Sequence, residues 1–200
     1  MYKLIIMKKI ILILVFIPII SFAQTAGQEG NLPFSEIGEY PNEFTESNIV
    51  LRLIEGLGYR YYWATKSLTE NDLNYKPSDD SRTTHEVIKH IHELTIMIAS
   101  SFENKMVDFP KENFDYKSLR EKTLLNLKYI HDELKSNPDF SKLSITFKAE
   151  DSTMSFPFWN QLNGPISDAL WHCGQVVMNR RASGNPLQKG VNVFIGKTSN

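Results

Sequence analysis

Apolar residues recur at helical spacing along four stretches of the chain, with polar residues filling the intervals. Val50, Leu53, Ile54, Leu57, Tyr61, Ala64 and Leu68 keep the i, i+3, i+4, i+7 pattern, which predicts a helix over roughly residues 44–68. Gly56 and Gly58 inside it each cost about 1 kcal/mol relative to Ala, so they mark either a close approach by another element or a bend. Val87, Ile91, Leu94, Ile98 and Phe102 predict a second helix over roughly 84–105, opened by a capping box in which Thr83 and Glu86 satisfy each other's amides. Leu119, Leu127, Ile130 and Leu134 predict a third over roughly 116–136, stopped by Asn137-Pro138. Leu162, Ile166, Ala169, Cys173 and Val176 form the stripe of a fourth. It starts at Gly164-Pro165 and stops at Gly184-Asn185-Pro186.

Between the third and fourth helices the period changes. Ile145-Thr146-Phe147 and Met154-Ser155-Phe156 alternate around Glu150-Asp151-Ser152, which predicts a short β-hairpin. Residues 69–81 are rich in Asn, Asp and Ser and read as a loop. Val191, Val193 and Phe194 form an apolar tail expected to fold back on the helices. The architecture is therefore an all-α four-helix bundle with a long crossover carrying the hairpin. The strands are too few for a dinucleotide-binding fold, and there is no internal repeat or Gly-rich phosphate loop.

The start of the chain follows other rules. Lys3, Lys8 and Lys9 precede an apolar run over residues 10–20, and Ser21-Phe22-Ala23 places small residues before Gln24, the pattern of a secretory signal peptide over residues 1–23. The apolar run is shorter than the about 20 residues that span a bilayer, so no stable membrane insertion is expected after cleavage, an uncleaved anchor being the alternative. Residues 24–42 read as a poorly ordered arm and residues 43–200 as one domain. The chain is thus expected to be exported, periplasmic or extracellular. A single cysteine, Cys173, allows no internal disulfide, and on the apolar stripe it reads as a small buried hydrophobe.

Charge narrows the functions. Lys+Arg 22 against Asp+Glu 23 gives a net charge of −1, which leaves no basic field for nucleic acid. The expected partner is a small molecule, and self-association as a homodimer through a helix face is open.

The candidate chemistry lies beside the fourth stripe. Asp168, His172, Gln175 and Asn179 sit at i, i+4, i+7 and i+11, a polar row on the flank of the buried face. Of three histidines in the second helix, His85 and His92 fall nearly opposite the stripe at 100° per residue, while His90 borders it. His131 on the third helix reads as a surface residue. If the second and fourth helices are neighbours, His90, Asp168 and His172 supply two imidazoles and a carboxylate with coordination positions left open. That is the layout of a catalytic zinc site, and the set also accepts iron or nickel. An open position there can bind water and lower its pKa toward neutrality. Gln175 and Asn179 would then support the ligands or orient substrate. Taken singly, these residues also fit a hydrogen-bonded core histidine and a local Asp/His helix pair. Arg180 and Arg181 suit either capping of the helix dipole or anion binding, and Trp159 and Trp171 read as packing residues.

The second helix, THEVIKHIHEL, and the terminal DALWHCGQVVMNRRASGNP together resemble the DinB-like family of four-helix bundles, over roughly residues 48–186. The resemblance implies a histidine on the second helix and an H-x-x-x-H pair on the fourth, together holding a divalent metal. His90 and His172, the latter followed by Gly174-Gln175, match the outer positions; the middle one departs, being Asp168. The resemblance further implies metal-dependent thiol transferases or hydrolases. Low-molecular-weight thiols are scarce outside the cytoplasm, so the expectation is a metal-dependent hydrolase. The alternatives are a non-catalytic binding or scaffold protein and a thiol transferase.

Overall fold

The computed structural model describes residues 32–199. The expected signal peptide and the first part of the arm, residues 24–31, lie outside them. The described chain is mostly helical with a small antiparallel hairpin. None of its helices is long and apolar enough to cross a membrane.

α1 (Glu46–Thr65) starts where the Thr45 hydroxyl accepts the amide of Asn48 at 3.1 Å, satisfying an otherwise unpaired first-turn donor. It ends three residues short of the sequence expectation, because Thr69 caps a separate short helix, α2 (Glu70–Asn74), inside the segment read as loop. α3 (Thr84–Phe102) opens on the expected box, with the Glu86 amide on Thr83 Oγ1 at 3.2 Å and the Thr83 amide on Glu86 Oε2 at 2.7 Å. α4 (Tyr116–Lys135) is capped by Asp115 and stops as expected before Asn137, which takes φ 55°. β1 (Ser144–Lys148) and β2 (Thr153–Pro157) pair antiparallel with Ile145 opposite Phe156. Only Ile145 of the hairpin is fully buried. The last long helix begins differently from its sequence reading. α5 (Phe158–Gln161) runs into a wide π-type turn, Leu162–Ile166, kinked at Gly164 (φ −93°, ψ −113°), before α6 (Ser167–Ala182). Pro165 disfavours an α-helical conformation at the residue before it, and glycine accepts the unusual angle.

α3 packs on α4 and α6, and α1 packs on the same two, so each long helix has two long neighbours. Ile54, Leu57, Ile88, Ile91, Ile98, Leu124, Leu127, Ile130, Ile166 and Val176 fill the space between them at 0 % exposure. Each such side chain contributes about 1.5–3 kcal/mol by leaving water. Two helical neighbours also widen the buried arc of α3 beyond one stripe, which corrects the reading of His92. It is buried, with Nδ1 3.2 Å from Thr123 Oγ1, and desolvation, helped by Lys122, pushes its pKa down to about 4. His131 is likewise no open surface residue. Its side chain is 12 % exposed, and Nε2 lies 3.3 Å from Glu55 Oε1. The two tryptophans are corrected the other way: Trp159 is 76 % exposed and Trp171 74 %.

The described part of the arm is packed rather than loose. The Phe34 ring lies on Gly58, where a Cβ would come within 2.4 Å of it, so Gly58 marks a close approach and not a bend. Ile37 is buried, and its amide bonds to Gly196 O at 2.8 Å. The tail folds back as expected, carrying β3 (Val191–Asn192) and β4 (Lys197–Thr198). It is anchored by Tyr59 Oη on Lys197 O at 2.8 Å, while Phe194 stays 94 % exposed.

A polar knot ties α2 to the end of α6. Asp72, 0 % exposed, accepts the Thr69 amide at 2.7 Å, the Asn185 side-chain amide at 2.7 Å and the Ser183 hydroxyl. Burial alone would raise its pKa, but the hydrogen bonds from Ser183, Asn185 and Thr69 outweigh burial and hold it at about 2. A carboxyl depressed in the fold stabilises above its unfolded pKa, and that contribution is lost as pH falls through the folded value. Asp72→Asn is therefore expected to flatten the acid limb of the stability curve between about pH 4 and pH 2, measured by urea unfolding against pH. An acid limb of unchanged slope would show that Asp72 titrates no differently in the unfolded chain.

Candidate metal centre

Three polar side chains meet where α3 passes α6. His90 comes from the second turn of α3, and Asp168 and His172 come from the first two turns of α6, one above the other at i, i+4. His90 Nε2 lies 3.3 Å from Asp168 Oδ2, and His172 Nε2 lies 3.3 Å from Asp168 Oδ1. One ligand atom from each falls within 4.8 Å of the others, a group that can hold a metal ion. The two rings stand edge to face, centroids 4.7 Å apart. His172 is the most enclosed at 11 % exposure, His90 follows at 24 %, and Asp168 at 41 % faces outward.

The tautomers follow from what lies behind each ring. Gln175 Oε1 is 2.8 Å from His172 Nδ1, so Nδ1–H donates to the amide oxygen and Nε2 presents a lone pair to the cluster. His90 faces a carboxylate at each ring nitrogen, Glu93 Oε2 at 3.7 Å from Nδ1 and Asp168 Oδ2 at 3.3 Å from Nε2. Its proton thus has an acceptor on either side, and an ion on Nε2 would leave the proton on Nδ1 toward Glu93. Where both rings carry their proton on Nδ1, two nitrogen lone pairs point at one carboxylate from 3.3 Å. Acceptors so placed repel unless a positive charge stands between them, and a proton on each ring or a divalent cation supplies it. Ligands about 2.1 Å from a tetrahedral ion lie roughly 3.4 Å apart; each imidazole meets that spacing to its own oxygen of Asp168, at 3.3 Å, while one atom from each of the three residues lies within 4.8 Å of the others.

Other residues of the polar row go elsewhere. Gln175 joins the cluster through His172, whereas Asn179 is buried and donates to Thr84 Oγ1 at 3.1 Å, tying α6 to the start of α3. Cys173 is buried as read, and burial pushes its thiol up to about 12, so it offers no thiolate. Arg180 is neither an anion site nor a cap of its own helix. At 3 % exposure its guanidinium donates to Trp63 O, Ala64 O and Lys66 O at 3.0–3.1 Å, closing the C-terminal end of α1. Sequence spacing gave no sign of this, because the bonded residues are more than a hundred positions apart.

Gln175→Ala leaves His172 Nδ1 without its acceptor and the ring free to turn. The expected outcome is a loss of roughly 10–100-fold in zinc affinity, with Gln175→Glu retaining it. Competition titration against a chromophoric chelator measures both; equal affinities in the wild type and the alanine variant would remove Gln175 from the site.

In comparisons with protein-family models, with curated proteins and with solved structures, nothing matches this chain. Fold and site together define a mostly helical protein with a His/Asp/His group able to hold a metal ion.

Proposed function

We propose that this chain is an exported, DinB-like four-helix-bundle protein that holds a divalent ion on His90, Asp168 and His172 and hydrolyses a small molecule with it. Zinc is the first choice of metal, with nickel and iron next, because two imidazoles and one carboxylate suit all three. The observation that carries the reading is the pair of Nε2 atoms converging from two helices on the two oxygens of one carboxylate, each at 3.3 Å. The four long helices, each packed on two others, support the bundle. Export rests on the leader-like sequence of residues 1–23 alone.

An ion held there supplies Lewis acidity and lowers the pKa of a water it binds. The chain's own part is positional. Gln175 fixes the His172 tautomer, and Glu93, with Lys89 at 3.7 Å on its other side, steadies His90. Asp168 is the most exposed of the three, so water and substrate approach from its side. Cys173 lies buried and protonated, which leaves no cysteine nucleophile and sets covalent thiol chemistry aside.

The second reading is a scaffold or binding protein without turnover. It is favoured by the way Asp168 alone can hydrogen-bond both rings if each is protonated. A thiol transferase stands third. The deciding experiment is metal analysis of untagged protein purified from its own compartment, followed by ester, amide and phosphoester panels with and without chelator. The hydrolase reading expects about one ion per chain and turnover that a chelator removes and zinc restores. Protein that stays metal-free under zinc loading would sink it, and full metal without turnover would select the scaffold.

A further inference from the structure

A cleft of about 720 Å3 opens between the loop ahead of α3 and the outer face of α6. Pro77 and Arg82 form one wall, Trp171, Gln175 and Met178 the other, and His172 borders it; neither His90 nor Asp168 does. Two features of its lining are unusual for a solvated surface. Trp171 and Met178 stand two turns apart on one helical face at 74 % and 61 % exposure, and Gly174 between them leaves open space where a side chain would stand. Large apolar groups exposed together beside a concave wall mark a binding groove more than a bare surface.

The other feature is charge. Arg82 is the one Lys, Arg, Asp or Glu residue lining the cleft. The carboxylates near it in sequence are held by other groups, and Glu86, its pKa pulled down first by its Thr83 hydrogen bonds, also feels the Arg82 charge without pairing to it. Asp79 lies 3.5 Å from Lys76, Asp80 accepts the Ser78 hydroxyl at 2.7 Å, and Glu86 is held by the Thr83 amide and hydroxyl at 2.7 and 2.9 Å. The exposed guanidinium forms no ion pair among the described residues, and its planar fork suits a carboxylate or phosphate.

We propose that this cleft binds an organic anion with an aromatic-sized apolar body. The body lies against Trp171 and Met178, and the anionic group pairs with Arg82. As the seat for the remote part of a substrate reaching the metal centre, the cleft rests on the functional reading above; as a binding site for such an anion it does not.

The test therefore uses the full chain treated with chelator, titrated by calorimetry with 4-phenylbutyrate, the neutral 4-phenylbutanol and butyrate. Saturable one-to-one binding of phenylbutyrate is expected, with the other two weaker by about tenfold or more. Arg82→Gln should bring phenylbutyrate down to the level of the alcohol and leave the alcohol unchanged, while Trp171→Ala should weaken both. Circular dichroism checks that these exposed substitutions leave the helices intact. No saturation with phenylbutyrate, or equal affinity in wild type and Arg82→Gln, would overturn the proposal. His90→Ala should bind phenylbutyrate as wild type does. Cleft binding without zinc uptake in the wild type would thus sink the metal reading alone, and the reverse would sink the cleft alone.

Discussion

His90→Ala is expected to lower zinc affinity at least about 100-fold while the helical fold persists. The reason is where the three donors come from. Asp168 and His172 lie one turn apart on α6, a pair that helix geometry places together on its own, whereas His90 is the one donor from a second element. Without it a carboxylate and one imidazole remain, too few to outcompete water for a divalent ion. The side chain is about a quarter exposed and sits at the border of the core, so removing it opens little cavity, and alanine favours the helix. Stability should fall by about 1 kcal/mol, the centre of the range for single substitutions, which leaves the domain folded. His85→Ala, on the same helix outside the cluster, should bind as wild type does. Chelator competition and the far-ultraviolet spectrum measure the two sides of the prediction. Stoichiometric zinc retained by His90→Ala at micromolar free metal would remove His90 from the site and take the proposed mechanism with it.

Arg180→Ala is expected to cost about 3–5 kcal/mol, the largest single loss of stability predicted for this chain. The guanidinium spends Nη1 on the carbonyls of Trp63, Ala64 and Lys66, and Nε on Asn185 O at 2.7 Å. Alanine leaves the buried carbonyls of Trp63 and Ala64 at the end of α1 without this donor, the arrangement in which an unmade hydrogen bond is most expensive, and frees the part-buried carbonyls of Lys66 and Asn185 as well. Lysine would restore only part of the loss, since one ammonium does not span the fork. Arg181→Ala, exposed on the next position, should stay within about 0.5 kcal/mol. In thermal unfolding, 3–5 kcal/mol corresponds to a drop on the order of 10 °C for a domain of this size. Zinc affinity should not follow, which separates this variant from His90→Ala. If Arg180→Ala and Arg181→Ala melted together, the guanidinium would not be closing α1.

The helices were legible because their signals are local. Thr83 and Glu86 lie three apart and mark the start of α3 by themselves, and Asn137-Pro138 marks the end of α4. The His90/Asp168/His172 group was legible for a similar reason: Asp168 and His172 share a face by spacing, and the angle of His90 put it at the border of its own stripe. Whatever depends on a neighbour was not legible. His92 falls nearly opposite the single stripe that spacing shows, and the second packed helix makes that outer face of α3 inner as well. The same limit hid Arg180, whose partners come from another element, and Trp171, left outside because the buried arc of α6 runs through Ala169, Cys173 and Val176. α2 was a different omission, since the Thr69/Asp72 pair that caps it stands in the sequence, masked by a surrounding composition rich in Asn, Asp and Ser.

The wide turn at Leu162–Ile166 has an arithmetic consequence. A π-type turn spends about one residue more than an α-turn, so everything downstream is indexed from a surplus position. Excising one residue there would offset α6 by about 100° against the segment before it. The helix would have to unwind locally or roll, and rolling would carry Asp168 and His172 away from His90 while turning Trp171 toward the interior. The compass bearing of Asp168 and His172 is thus fixed by chain length in the stretch that precedes them.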